Sequence, residues 1–143
     1  MLTEVQQAHI DEYLEDIETA FKYMKQSYDQ ADANVSEFSS IINDGELYTN
    51  GLNKVTSDSI NETKRLMESL KDFVTYVPVS DFMSDAEYHK IVKYVTDKYR
   101  IKDYENRIKQ LERTYEESRE LFKQNRKQSG TNVFDHIKKR LDR

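Results

Sequence analysis

Apolar side chains return along the first third of the chain at Ile10, Tyr13, Ile17, Ala20, Met24, Tyr28, Ala31, Val35, Phe38 and Ile42. The steps alternate between three and four, except for two consecutive fours around Met24, which makes a heptad seam with one small shift of phase. Thr3 suits a helix cap and Asn43-Asp44-Gly45 suits a stop, so the pattern predicts one helix over about 3–43. A second stripe, Ile60, Thr63, Met67, Leu70, Val74 and Val77, predicts a helix over about 50–77 that Pro78 closes. Its first turns, around Leu52 and Val55, are polar and include Gly51, so the stripe does not define where it begins. Two long amphipathic helices with a short connection form an antiparallel hairpin, here residues 1–77.

Ser84 with Glu87 three residues on reads as a capping box, and beyond it Ile101, Tyr104, Ile108, Leu111, Tyr115, Ser118 and Phe122 form the most regular seam in the chain. Upstream, Tyr88, Ile91, Val92, Val95 and Tyr99 are also helical in period but out of phase with that seam. Either one helix changes the face it buries near Tyr99 or two helices meet there. With no glycine or proline between, the sequence favours one helix over 84–128. Asp103 with Arg107 and Glu105 with Lys109 are spaced as supporting acid-before-base pairs. Ser129-Gly130 then sets off a basic segment, 131–143, with Val133, Phe134, Ile137 and Leu141 on one helical face. A helix that short is marginal in water and needs a surface to dock on. The fold class expected is all-α: an elongated antiparallel helical bundle with coiled-coil character, built from three long helices and a short C-terminal helix.

Composition supports narrow seams rather than a thick core, since 36% of the 143 residues are hydrophobic and 34% charged. The chain has no cysteine, which excludes disulfides, cysteine-based zinc sites and a thiol nucleophile. The N-terminal stretch has neither a basic start nor an apolar run, and no window reaches the length of a membrane span. The expectation is a cytoplasmic protein without a membrane partner.

Charge is strongly divided. Residues 1–89 carry 6 Lys/Arg against 18 Asp/Glu, and residues 90–143 carry 16 against 9. No base precedes Lys22, while Glu4, Asp11, Glu12, Glu15, Asp16 and Glu18 do, with Asp11, Glu15 and Glu18 on one helix face. The structural reading of this face is a solvated one, balanced by bases of the third helix. The functional reading is a surface that meets a basic partner. The converse set is Arg126 and Lys127 before the break with Lys138, Lys139 and Arg140 after it. Helix C-termini favour such bases without any function, and the alternative is docking onto an acidic surface.

Catalytic chemistry finds no foothold. Gln6, Ala86 and Val133 stand three residues before His9, His89 and His136, so the Glu-x-x-His pairs of di-metal bundles are missing, and the scattered glycines form no phosphate loop. No catalytic residue, cofactor or metal ligand is assigned, and a non-enzymatic protein is expected. Of ten tyrosines, Tyr13, Tyr28, Tyr104 and Tyr115 sit on seams, where the ring packs and the hydroxyl reaches the rim.

The layout of a long helix, a break and a short basic element resembles the end of phage scaffolding proteins, whose basic C-terminal element holds the shell protein. The richness in Lys, Asn, Asp, Ile and Tyr suits an AT-rich genome, as of a phage or mobile element. The function expected is an inhibitor or adaptor that presents the acidic N-terminal helix face to a basic, nucleic-acid-handling protein. The alternatives are an assembly or scaffolding factor that forms a homo-oligomer through the 101–122 seam and docks by its basic tail, and, behind it, direct nucleic-acid contact through the basic half.

Overall fold

The computed structural model of this chain describes residues 2–46 and 48–128. It is an all-α four-helix bundle with no strand among the described residues: α1 (Glu4–Asn43), α2 (Leu52–Thr75), α3 (Asp85–Lys98) and α4 (Ile101–Gln128), with a 3-10 turn at Ser80–Phe82 before α3.

Local chemistry sets most of the boundaries. The Thr3 hydroxyl accepts from the Gln6 amide at 3.1 Å while the Gln6 side chain accepts from the Thr3 amide at 2.9 Å, a reciprocal cap that opens α1. Gly45, at φ +82°, follows its end. Gly51, at φ +80°, stands before α2 and settles the start that the polar first turns left open. The Ser84 hydroxyl accepts from the Glu87 amide at 3.1 Å and opens α3.

The predicted single helix over 84–128 is in fact two. Lys98 ends α3, Arg100 takes a left-handed φ of +52°, and α4 begins at Ile101. The phase difference between the two stripes is the cause. A straight helix cannot turn both Val95 and the 101–118 seam toward the same hairpin, so the chain turns at Tyr99-Arg100 and buries each separately. The Tyr99 ring lies 4.9 Å from that of Phe21, which meets Tyr104 at 5.5 Å and fills the bend. Arginine holds a position that glycine adopts without steric cost. Arg100→Gly is therefore expected to stabilise the fold by about 0.5–1 kcal/mol, read as a higher urea midpoint with an unchanged slope.

α2 runs antiparallel to α1, Ser27 meeting Thr63 and Asn34 meeting Ser59, and α4 follows α1 in parallel: Phe38 packs on Tyr115 at 5.6 Å, and the Asn125 amide donates to the Ile42 carbonyl at 3.4 Å. The short helix predicted over 131–143 lies outside the described residues. All ten members of the α1 seam are buried or half-buried, as are those named on α2 and α4.

The core is two apolar clusters separated by a layer of hydroxyls. One gathers Ile10, Ile17, Met24, Leu70, Val95 and Ile101, and the other Ala31, Phe38, Ile42, Ile60 and Leu111. Between them Ser27 and Thr63 meet at 2.7 Å. Thr63 gives its one proton to the Ser59 carbonyl at 2.8 Å, so Ser27 is the donor to Thr63. Further along, the Asn34 amide donates to the Ser59 hydroxyl at 3.1 Å, and the Ser39 and Ser118 hydroxyls meet at 2.6 Å. No buried side-chain polar atom among the described residues lacks a partner. Thr63→Val, which orphans Ser27, should cost about 1–2 kcal/mol, and adding Ser27→Ala should recover most of it. Urea melts of the four proteins in the cycle check this.

Candidate interaction surfaces

Asp11, Glu12, Glu15, Asp16 and Glu18 are all exposed on α1. With roughly 100° between successive residues, Asp11, Glu15 and Glu18 share one edge. Glu12 and Asp16 lie on the opposite flank, in phase with Ser27 and Asn34, which touch α2. The Gln7 side-chain amide donates to Asp11 at 3.2 Å and Lys22 stands 3.8 Å from Glu18, both contacts within α1.

Among the described residues, no base of another helix pairs with these five acids. The expected balance by the third helix is not what forms. The ion pairs that cross helices run the other way, from bases of α2 to acids of α4: Lys64 to Glu112 at 2.9 Å and Lys71 to Glu105 at 3.4 Å. Asp103 and Arg107 pair at 3.1 Å as the spacing predicts, whereas Glu105 turns to Lys71. Partial desolvation works against the Lys71 ammonium, but Glu105 and Glu68 outweigh it and raise its pKa.

Arg126 is exposed in the last turn of α4, its guanidinium 5.7 Å from the Phe122 ring. Lys127 belongs to the same turn by its backbone, and Lys138, Lys139 and Arg140 lie outside the described residues. The end of α4 sits beside Ile42. Roughly 36 Å of α1 separates that point from Glu18, at about 1.5 Å per residue. The acidic candidates and the Arg126–Lys127 turn therefore occupy opposite ends of the bundle and are not brought together.

A surface that the sequence reading missed lies on α3. Lys90, Lys93, Tyr94, Asp97 and Lys98 form its outward face, three bases to one acid, and Tyr94 is 55% exposed. The Lys98 ammonium stands 5.9 Å from the Tyr94 ring and 5.4 Å from that of Tyr99, while Lys93 pairs with Asp97 at 3.1 Å. Residues 90–102 hold five bases (Lys90, Lys93, Lys98, Arg100 and Lys102) against Asp97 alone, a signal that the halfwise charge count blurred.

Between α2 and α4 runs an open groove of about 590 Å³, floored by Met67 and Ile108 and rimmed by charged side chains. Among the described residues no three His, Asp or Glu are grouped to hold a metal ion, and no helix is long and apolar enough to cross a membrane. The clearest pKa shift belongs to a structural group: burial, with a smaller contribution from Tyr88, pushes the Tyr13 phenol up to about 12. No known protein family, curated protein or solved structure matches this chain. The fold and its surfaces define a helical bundle of segregated charge.

Proposed function

We propose that this protein works by binding, without catalysis, as an inhibitor or adaptor that presents the acidic face of α1 to a basic protein, such as one that handles nucleic acid. The carrying observation is that five exposed carboxylates on successive turns of α1 have no base from another helix beside them among the described residues. Like charges at this spacing destabilise a helix by a few tenths of a kcal/mol per pair, roughly, and here no neighbouring helix offsets the cost. A basic partner would. A cytoplasmic setting accords with a chain that carries no cysteine to cross-link.

Affinity capture from a cell lysate, with and without nuclease, tests the reading on three proteins: the wild type, Asp11→Lys/Glu15→Lys/Glu18→Lys, and a chain lacking 131–143. The expected outcome is a discrete partner that survives nuclease, is kept by the truncated chain and is lost on charge reversal. Loss on truncation alone would shift the function to scaffolding through the basic tail. Loss with nuclease would shift it to nucleic acid.

A further inference from the structure

The Leu14 side chain is half-buried against the same apolar cluster as Tyr88, Ile91, Val92 and Tyr99. Asp11 and Glu18 stand three residues before and four after Leu14, so they are its neighbours on the helix surface. Glu18 also stands three residues before Phe21, whose ring lies 4.9 Å from that of Tyr99 at the end of α3, so the acidic edge of α1 borders the side on which α3 meets it. Even so, no ion pair joins the two among the described residues. The contacts of the α3 lysines are local instead, Lys93 with Asp97 and Lys98 near the Tyr94 and Tyr99 rings. One half of the bundle therefore carries, side by side, an acidic strip and a basic strip with an exposed tyrosine in it, each unsatisfied by the other.

We propose that the Lys90, Lys93, Tyr94 and Lys98 face of α3 docks on the Asp11, Glu15 and Glu18 edge of α1 in a second copy of this chain, forming a twofold dimer. A twofold interface needs a patch that is complementary to itself, so that each strip meets its opposite twice. Strip lengths agree: Asp11 to Glu18 spans roughly 10 Å and Lys90 to Lys98 roughly 12 Å at helical rise. An extended polyanion is a poorer occupant of α3, because the neighbouring carboxylates of α1 would repel it. Single exposed ion pairs contribute little, so the interface depends on several acting together around the desolvated Tyr94 ring. This inference rests on reading the acidic edge as a contact surface. It names the first occupant of that edge, which a more basic protein would have to displace.

Sedimentation velocity on the full chain at low and high salt tests the dimer separately from any capture experiment. The wild type should be dimeric at low salt and dissociate as salt rises. Asp11→Lys/Glu15→Lys/Glu18→Lys and Lys90→Glu/Lys93→Glu/Lys98→Glu should each weaken self-association roughly tenfold or more, since each places like charges on both sides of the interface. Mixed together, the two variants should form a heterodimer, because both contacts are then again between opposite charges. Recovery on mixing also shows that both variants fold. A wild type that stays monomeric at low salt, variants that still dimerise alone, or a mixture that stays monomeric would each overturn the proposal. The reading of the acidic edge as a partner surface would survive the first of these if capture succeeds.

Discussion

Phe38→Ala should lower the stability of this protein by about 3–5 kcal/mol, a large share of what a domain of this size possesses. Phe38 is the largest of the fully buried side chains, with 0% exposure. Its ring lies 5.6 Å from that of Tyr115 and 6.3 Å from that of Phe122, so it joins α1 to α4 as well as filling the second cluster. In a bundle whose core is a set of narrow seams, few neighbouring atoms can move into the space it leaves. Urea denaturation followed by helical circular dichroism would measure the loss, with Ser36→Ala, at an exposed position one turn-fraction away, as a control expected to stay within about 0.5 kcal/mol. A loss for Phe38→Ala below about 1 kcal/mol would mean that α4 is not packed on α1 as described.

The second large effect is a loss of stability at alkaline pH through Tyr13. Its phenol is buried, donates to the Val74 carbonyl, and has its pKa pushed up to about 12 against 10 in the unfolded chain. For an acid whose pKa is raised on folding, the unfolded state loses the proton first as pH rises. Stability is therefore fully present below pH 10 and falls between about 10 and 12, by on the order of 2–3 kcal/mol. Lysines titrate in the same window, so the informative quantity is the difference between the wild type and Tyr13→Phe. The variant should be less stable by about 1 kcal/mol at neutral pH, where the hydrogen bond is lost, and the gap should close and then reverse as pH climbs. Parallel curves for the two proteins across that range would remove Tyr13 as the cause.

Where apolar side chains carried the pattern, the fold was legible. Ile10 through Ile42 named the buried face of α1, and Ile101 through Ser118 that of α4, because burial of such side chains is what a seam is. Of the buried polar members, Thr63 and Ser118 fell on the stripes, but Thr56 and Asn34 did not. Thr56 lies one heptad before Thr63 and is fully buried, so accepting threonine there would have carried the α2 stripe back by a turn. Asn34 gave less to read, since its burial depends on Ser59 across the hairpin and not on its own sequence neighbours. The α3–α4 boundary showed as a change of phase but not as a break, because arginine rarely marks a left-handed turn. Of the candidate surfaces, the α1 acids were visible as a run without bases. The α3 face was not, since its outward direction follows from that unmarked turn.

The hydroxyl and amide layers also fix which turn of one helix stands against which turn of another. Apolar heptads repeat, and a leucine seam shifted by seven residues still meets leucine. Ser27, Asn34 and Ser39 are spaced unevenly along α1, like the cuts of a key, and two of them meet α2 while the third meets α4. Sliding α2 by one heptad in either direction would set Asn34 against Leu52 or Leu66, and sliding α4 back by one would set Ser39 against Leu111. Each slip strands a polar group that the native alignment satisfies. A chain with little apolar surface to spare thus gains from a few buried hydrogen bonds what its repeating seams alone would not give: a single alignment.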